Sequence, residues 1–195
     1  MEELLAPPVR RVVRGFAAVR PATARVPAGV RGAVAAGTVV ACWAVATGVA
    51  GALHVPTAAR AVALFGHLAG LVVGLGAVVA VDWLGLLWAV GRRSFAEVTR
   101  TASALHPLIC AALLALLVTG AVLHPDMTSG LTRVKLALVL VIAVNGLYVT
   151  ALQAGLSGRC ADPPPGLLAQ ATAAVVVSQL CWWATVAIGL ANARR

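Results

Sequence analysis

Five long apolar stretches constrain the fold of this chain more than any other feature. They cover about residues 32–53, 61–90, 103–124, 134–154 and 167–191. Each is near or above the roughly 20 residues that an α-helix needs to cross the hydrocarbon core of a membrane. Because backbone polar groups in lipid must be hydrogen-bonded internally, each stretch is predicted to be a helix. The predicted fold is all-α, a polytopic membrane bundle of about five transmembrane helices over residues 32–195.

The composition excludes a water-soluble fold. Hydrophobic residues make up 61% of the chain and charged residues only 11%, whereas soluble domains have about 25% charged residues. The net charge of +9 comes from arginines that flank the apolar stretches, as membrane topology signals do. The lipid bilayer is therefore the expected partner, and no nucleic-acid partner is expected.

Residues 1–31 are predicted to be a disordered, basic tail. They hold four prolines and no sustained apolar run, so they cannot bury enough surface to fold alone. Their six arginines are Arg10, Arg11, Arg14, Arg20, Arg25 and Arg31. Since basic residues favour the cytoplasmic side, we expect a cell-membrane protein with a cytoplasmic N-terminus. Arg194 and Arg195 would then lie outside, against this trend.

A polar stripe runs along the second predicted helix. An ionisable group in a bilayer costs at least about 2.5 kcal/mol at mid-depth, so each one is a functional candidate. At 100° per residue, one arc of about 120° holds His67, Gly70, Gly74 and Asp82. This face is predicted to meet protein rather than lipid. Its glycines would admit a second backbone or a flat ligand, or would serve helix packing alone.

Three histidines are predicted to converge at the outer side of the membrane. His54 ends the first stretch, His67 begins the second and His124 ends the third, followed by Asp126 and Met127. Antiparallel helices with short connections would bring these positions to one level. Imidazole with a thioether suits copper, whereas imidazole with a carboxylate suits zinc or another divalent ion. The predicted metal ligands are His54, His67, His124 and Met127.

A second polar group is predicted in the inner half of the bundle. Asp82, Asn145 and Gln179 reach comparable depths, and His106 lies nearer the cytoplasmic surface. They form a proton or cation relay, or they only make hydrogen bonds between helices. His106 and His124 each precede a proline and share one face of the third helix, so both could also be plain interfacial residues at its two ends.

Residues from about 61 to about 152 resemble the membrane domain of the copper-resistance protein D (CopD) type. The resemblance rests on Gly66-His67-Leu68 in a glycine-rich helix, a basic connection, Val118-Thr119-Gly120, and Val134-Lys135-Leu136 opening an aliphatic helix. It implies copper transfer across the membrane or from its outer side. His67 would then belong to the metal-handling residues.

Three functions remain open from the sequence. The first is transition-metal handling, copper above all, and metal transport with it. The second resembles the cytochrome b561 group: a b-type haem cytochrome in which His67 and His124 ligate the iron. The third is a non-catalytic membrane subunit or scaffold, in a homo-oligomer or with another membrane subunit. No motif for nucleophilic catalysis or phosphate binding is present, so an enzyme is not expected.

Overall fold

The computed structural model describes residues 28–50, 52–53, 55–156 and 164–193. Within them the chain forms five α-helices, α1 Ala28–Val49, α2 Thr57–Ala89, α3 Phe95–Val122, α4 Gly130–Leu156 and α5 Pro165–Ala193. Each has the length and apolar composition to cross a membrane. The predicted all-α fold with five spans is confirmed, and the chain is a multi-pass membrane protein. The predicted tail lies outside the described residues up to residue 27.

Two compact units divide the chain between Val34 and Ala35. The first unit includes only residues 28–34 of the described chain. The second unit contains the remainder of α1 and the other four helices. All contacts below are within this second unit, which is called the bundle.

The helices begin earlier than hydropathy alone predicts. The largest difference is in α3, which begins at Phe95 rather than near residue 103. Ser94 and Glu97 form a reciprocal capping box there, with the Glu97 amide donating to the Ser94 hydroxyl and the Ser94 amide to the Glu97 carboxylate. Because this pair satisfies free backbone amides, the helix extends over polar residues that an apolar window leaves out. Pro107 consequently lies inside α3 and not in its first turn.

Two helix pairs make the closest contacts of the bundle, α2 with α3 and α4 with α5. The α2–α3 contact follows a glycine face, defined here as Gly66, Gly70 and Gly74. A Cβ atom added at Gly70 would lie 3.5 Å from the Ala112 carbonyl oxygen of α3. Backbones approach this closely only where side chains are absent, as is common between helices in membranes.

The buried core is small and centres on Trp182 of α5, which is 2% exposed. Val78, Ile142 and Cys181 pack with it and bring together α2, α4 and α5. Many large apolar side chains lie outside this core, such as Phe65, which is 76% exposed. In a soluble protein such a surface would aggregate, whereas in a bilayer it contacts lipid.

The glycine face generates a stability prediction. A Cβ atom at Gly74 would meet the Ala112 Cβ at 3.0 Å and the Trp182 ring at 3.1 Å, whereas one at Gly76 would meet nothing within 4 Å. Replacing Gly74 by leucine should therefore lower the free energy of unfolding by about 1–3 kcal/mol, the range for overpacking. Thermal unfolding in detergent measures this effect. Gly76→Leu is the matched control, and equal stability of the two variants would contradict the close contact.

Candidate functional site

One end of the bundle, called here the His124 end, contains the α1–α2 and α3–α4 links. Helix α3 ends with Leu123 as its cap, and His124 then takes a left-handed backbone conformation with φ +52°. Histidine tolerates this conformation better than most residues, and Pro125 prevents the helix from continuing. The sharp turn directs the chain away from the α3 axis at the histidine.

The ring of His124 joins the two links. Its Nε2 hydrogen-bonds to the Leu53 carbonyl of the α1–α2 link. Its Nδ1 lies 3.3 Å from Nη2 of Arg60, in the first turn of α2. A carbonyl only accepts, so Nε2–H donates to Leu53, whereas Nδ1 lies between the Arg60 donor and the Val122 carbonyl oxygen, which is 3.0 Å away. The histidine therefore holds the α1–α2 link and the start of α2 against the end of α3.

The rest of the α3–α4 link carries Asp126 and Met127. Oδ1 of Asp126 accepts from the Thr128 hydroxyl at 2.6 Å and from the Thr128 amide at 2.9 Å. These bonds hold the pKa of the Asp126 carboxyl below its usual range, so the group is a carboxylate at neutral pH. Met127 is 37% exposed and presents a thioether in the same link. His54 lies outside the described residues, although its neighbour Leu53 is described.

His67 lies deeper in the bundle than its sequence position indicated. Because α2 begins at Thr57, His67 is about 15 Å along the helix axis from the first residue of α2, at 1.5 Å per residue. Its Nδ1 lies 3.0 Å from the Thr119 hydroxyl of α3. That hydroxyl donates to the Ala115 carbonyl at 2.5 Å, so Nδ1–H of His67 donates to Thr119.

The surroundings of His67 are closely packed and contain a second cation. A Cβ atom at Gly120 would lie 3.4 Å from Cε1 of the imidazole. Lys135, half-buried in α4, is near enough to act on His67 electrostatically. It lies inside the fourth span. Thr119 and Lys135 are thus polar partners that sequence reasoning did not single out as candidates.

The structure does not test the predicted three-histidine metal site. His67 and His124 have different hydrogen-bond partners, Thr119 for the first and Leu53 with Arg60 for the second. Among the described residues, no group of three His, Cys, Asp or Glu side chains is placed to hold a metal ion. This finding does not include His54, so the shared site stays a prediction.

The polar residues predicted for the inner half of the bundle form separate hydrogen-bonded pairs between helices. Gln179 of α5 donates to the Asp82 carboxylate of α2 and accepts from Trp183 Nε1 at 2.9 Å. Asn145 of α4 donates to the Ala174 carbonyl of α5 at 2.9 Å. His67 and Asp82 thus each hydrogen-bond to a neighbouring helix, as the predicted stripe requires.

His106 pairs with α4 rather than lying at the end of its helix. Its Nε2 is 3.0 Å from the Thr150 hydroxyl, which itself donates to the Gly146 carbonyl at 2.9 Å. Nε2–H of His106 therefore donates to Thr150. The sequence placed His106 at a helix end because Pro107 suits a first turn, but α3 begins at Phe95. Whether the inner polar residues also relay protons stays a prediction.

The Asp82–Gln179 pair generates a prediction about helix association. Gln179→Leu removes the donor to Asp82 and the acceptor for Trp183, and hydrogen bonds between membrane helices contribute up to about 1.7 kcal/mol each. We expect a loss of about 1–2 kcal/mol in unfolding free energy. Gln170→Leu, which removes only an exposed bond to Tyr148, is the control. The double variant with Asp82→Leu and Gln179→Leu should lose less unfolding free energy than the sum of the losses in the two single variants. A loss equal to that sum would contradict the pairing.

Comparisons with known proteins give no relative on which to base a function. No family model matches the chain, and no curated protein or solved structure matches it. The resemblance to the copper-resistance protein D type accordingly rests on the quoted residues and stays a prediction.

Proposed function

We propose that this chain binds a transition metal, copper above all, at the His124 end and passes it into the membrane bundle. The observation that carries the proposal is the hydrogen bond between the His124 ring and the Leu53 carbonyl. Leu53 directly precedes His54 in the sequence, so the bond ties the α1–α2 link, to which His54 belongs, to the ring of His124. Met127 lies three residues beyond His124 in the same link.

The donor set is the one that copper prefers. Soft thioether sulfur together with imidazole nitrogen selects copper over magnesium or calcium, which favour oxygen ligands. His54, His124 and Met127 would hold the ion in the two links. Asp126 contributes less, because its Oδ1 already accepts two hydrogen bonds from Thr128.

His67 would act as a second, deeper ligand on the route into the bundle. Metal-bound histidines usually donate their other ring N–H to a nearby acceptor, which fixes the tautomer. The bond from His67 Nδ1 to Thr119 has this form and directs the Nε2 lone pair away from Thr119. A haem between α2 and α3 is less compatible with this geometry, because Gly120 packs directly against the imidazole.

We further propose that the His124 end faces outward and that the N-terminus is in the cytoplasm of a cell-membrane protein. The α2–α3 link, called here the Ser94 end, carries Arg92 and Arg93, whereas the described residues of the α1–α2 and α3–α4 links include no lysine or arginine. Together with the arginine-rich residues 1–31, Arg92 and Arg93 favour a cytoplasmic Ser94 end by the positive-inside rule. Any metal captured by His124 would then come from outside the cell.

Cysteine labelling tests this orientation. In a variant whose native cysteines are replaced by alanine, Ala96→Cys marks the Ser94 end and Thr128→Cys marks the His124 end. Both positions are exposed and lie at the ends of the spans. A membrane-impermeant maleimide added to whole cells should label position 128 and leave position 96 unlabelled. Labelling at position 96 alone would invert the proposed topology.

Metal analysis tests the proposed ligands. The purified protein should retain about one copper ion per chain after loading with Cu(I) and desalting, and His124→Ala should lose it because the two links then hold too few soft ligands. His106→Ala is the control, since His106 pairs with Thr150 within the bundle. Full copper retention by His124→Ala would contradict the site, and a haem absorption band would select the cytochrome instead.

Arg60 provides a sharper form of the same test. Its guanidinium lies 3.3 Å from Nδ1 of His124, so its positive charge repels a metal ion at that ring. Arg60→Leu should therefore strengthen copper binding severalfold, measured by competition with a Cu(I) chelator. Arg92→Leu, at the Ser94 end, should leave binding unchanged. Weaker binding in Arg60→Leu would show that the arginine supports the site instead.

A further inference from the structure

A cavity of about 310 Å³ lies between the helices in the membrane-spanning part of the bundle. All five helices contribute to its wall, including Trp43 of α1, Asp82 of α2, His106 of α3, Asn145 of α4 and Trp182 of α5. Its volume is at the lower end of the range for small-molecule sites, about 300–1,000 Å³. The cavity is separate from the His124 end, so this inference does not depend on the proposed metal function.

Most of the cavity wall is aliphatic. Val78, Ile109, Leu113 and Ile142 represent the valine, leucine, isoleucine and alanine side chains that make up most of it. Cys42 and Cys110 also line it and are exposed on the helix surfaces. A molecule dissolved in the hydrocarbon can therefore approach the cavity between helices. Apolar cavities of this kind bind apolar molecules rather than water.

Asn145 provides a polar contact because one of its side-chain N–H groups is not used in a hydrogen bond among the described residues. Its amide nitrogen donates one hydrogen bond, to the Ala174 carbonyl at 2.9 Å. A side-chain amide nitrogen carries two hydrogens, and Asn145 lines the cavity while being only partly buried. The second N–H is thus available to an acceptor inside the cavity.

Trp182 closes the wall beside Asn145 and is not part of the polar contact. It is 2% exposed, and its Nε1–H is buried without a hydrogen-bond partner among the described residues, so a molecule in the cavity does not reach this donor. Ile142, one helical turn before Asn145, packs in the same cluster as Trp182. The polar contact of this part of the wall is therefore that of Asn145.

From these contacts we propose that the cavity binds a flat, uncharged lipophilic molecule with carbonyl oxygens, an isoprenoid quinone. The free N–H of Asn145 calls for an acceptor oxygen, and a quinone has two of them on an apolar ring. The indole of Trp43, which is half-buried and lines the cavity, favours a flat ring. Among the described residues that line the cavity there is no lysine or arginine to bind a carboxylate or phosphate head group. The isoprenoid tail would extend into the hydrocarbon beside Cys42 and Cys110.

Retention of a ligand pair tests the proposal. The protein in lipid nanodiscs is incubated with menadione, a naphthoquinone, or with 2-methylnaphthalene, which has the same ring system and no carbonyl oxygens. The amount retained beyond that in empty nanodiscs at equal lipid concentration is measured. Menadione should be retained saturably, near one molecule per chain, and more tightly than 2-methylnaphthalene. Retention equal to that of empty nanodiscs would mean that the ligand only dissolves in the lipid. That result would overturn the proposal.

Two variants identify the site. Asn145→Leu should weaken menadione binding about threefold to tenfold, which is the effect of one hydrogen bond. The binding of 2-methylnaphthalene should stay the same. Asn192→Leu is the matched control, because Asn192 bonds to Thr132 and does not line the cavity. Gly146→Leu should abolish retention of both ligands, since Gly146 lines the cavity and a Cβ there meets nothing within 4 Å.

The controls distinguish a filled cavity from a damaged bundle. Gly76→Leu also adds a side chain in open space but lies outside the cavity wall, so it should retain both ligands like the original chain. The thermal unfolding midpoint of Asn145→Leu shows whether the bundle remains folded. Equal weakening of menadione by Asn145→Leu and Asn192→Leu, or full retention by Gly146→Leu, would place the ligand elsewhere and overturn the assignment.

Discussion

The close approach of α2 to α3 along the glycine face is the contact on which the rest of the bundle depends. Lipid tails are as apolar as leucine, so helices in a bilayer associate through packing and hydrogen bonds rather than through burial from water. Gly70 lets α2 reach the Ala112 backbone, and Gly74 accommodates the edge of Trp182. Trp182 then joins this pair to α4 and α5 through Val78 and Ile142.

Polar side chains complete the association where they bond to another helix. His67 pairs with Thr119, Gln179 with Asp82, and Trp43 of α1 donates to the Leu136 carbonyl of α4 at 2.9 Å. Unpaired polar groups are costly in hydrocarbon, so such pairs restrict which helix faces can meet. The Gln179–Asp82 pair also gives the carboxyl at the cavity wall a hydrogen-bond partner.

The two proposed sites use different physical environments of one bundle. At the His124 end, backbone links carry soft ligands in contact with water, where an ion can exchange. Inside the bundle, an aliphatic wall with the side-chain amide of Asn145 favours an uncharged molecule. Both depend on glycine and proline positions: Gly146 leaves space beside Asn145, and Pro125 follows the left-handed His124 that ends α3.

Hydropathy by itself determined the five helices and the stripe of α2, because span length and the 3.6-residue period are local properties of the chain. It could not determine where α3 begins, since the Ser94–Glu97 cap extends the helix over polar residues. The pairing of His67 with Thr119, the nearness of Lys135 to His67 and the cavity beside Asn145 were decided only by the tertiary structure. The depth of His67 and His106 depends on where α2 and α3 begin, and the rotation of each helix toward its neighbours follows from packing between distant segments.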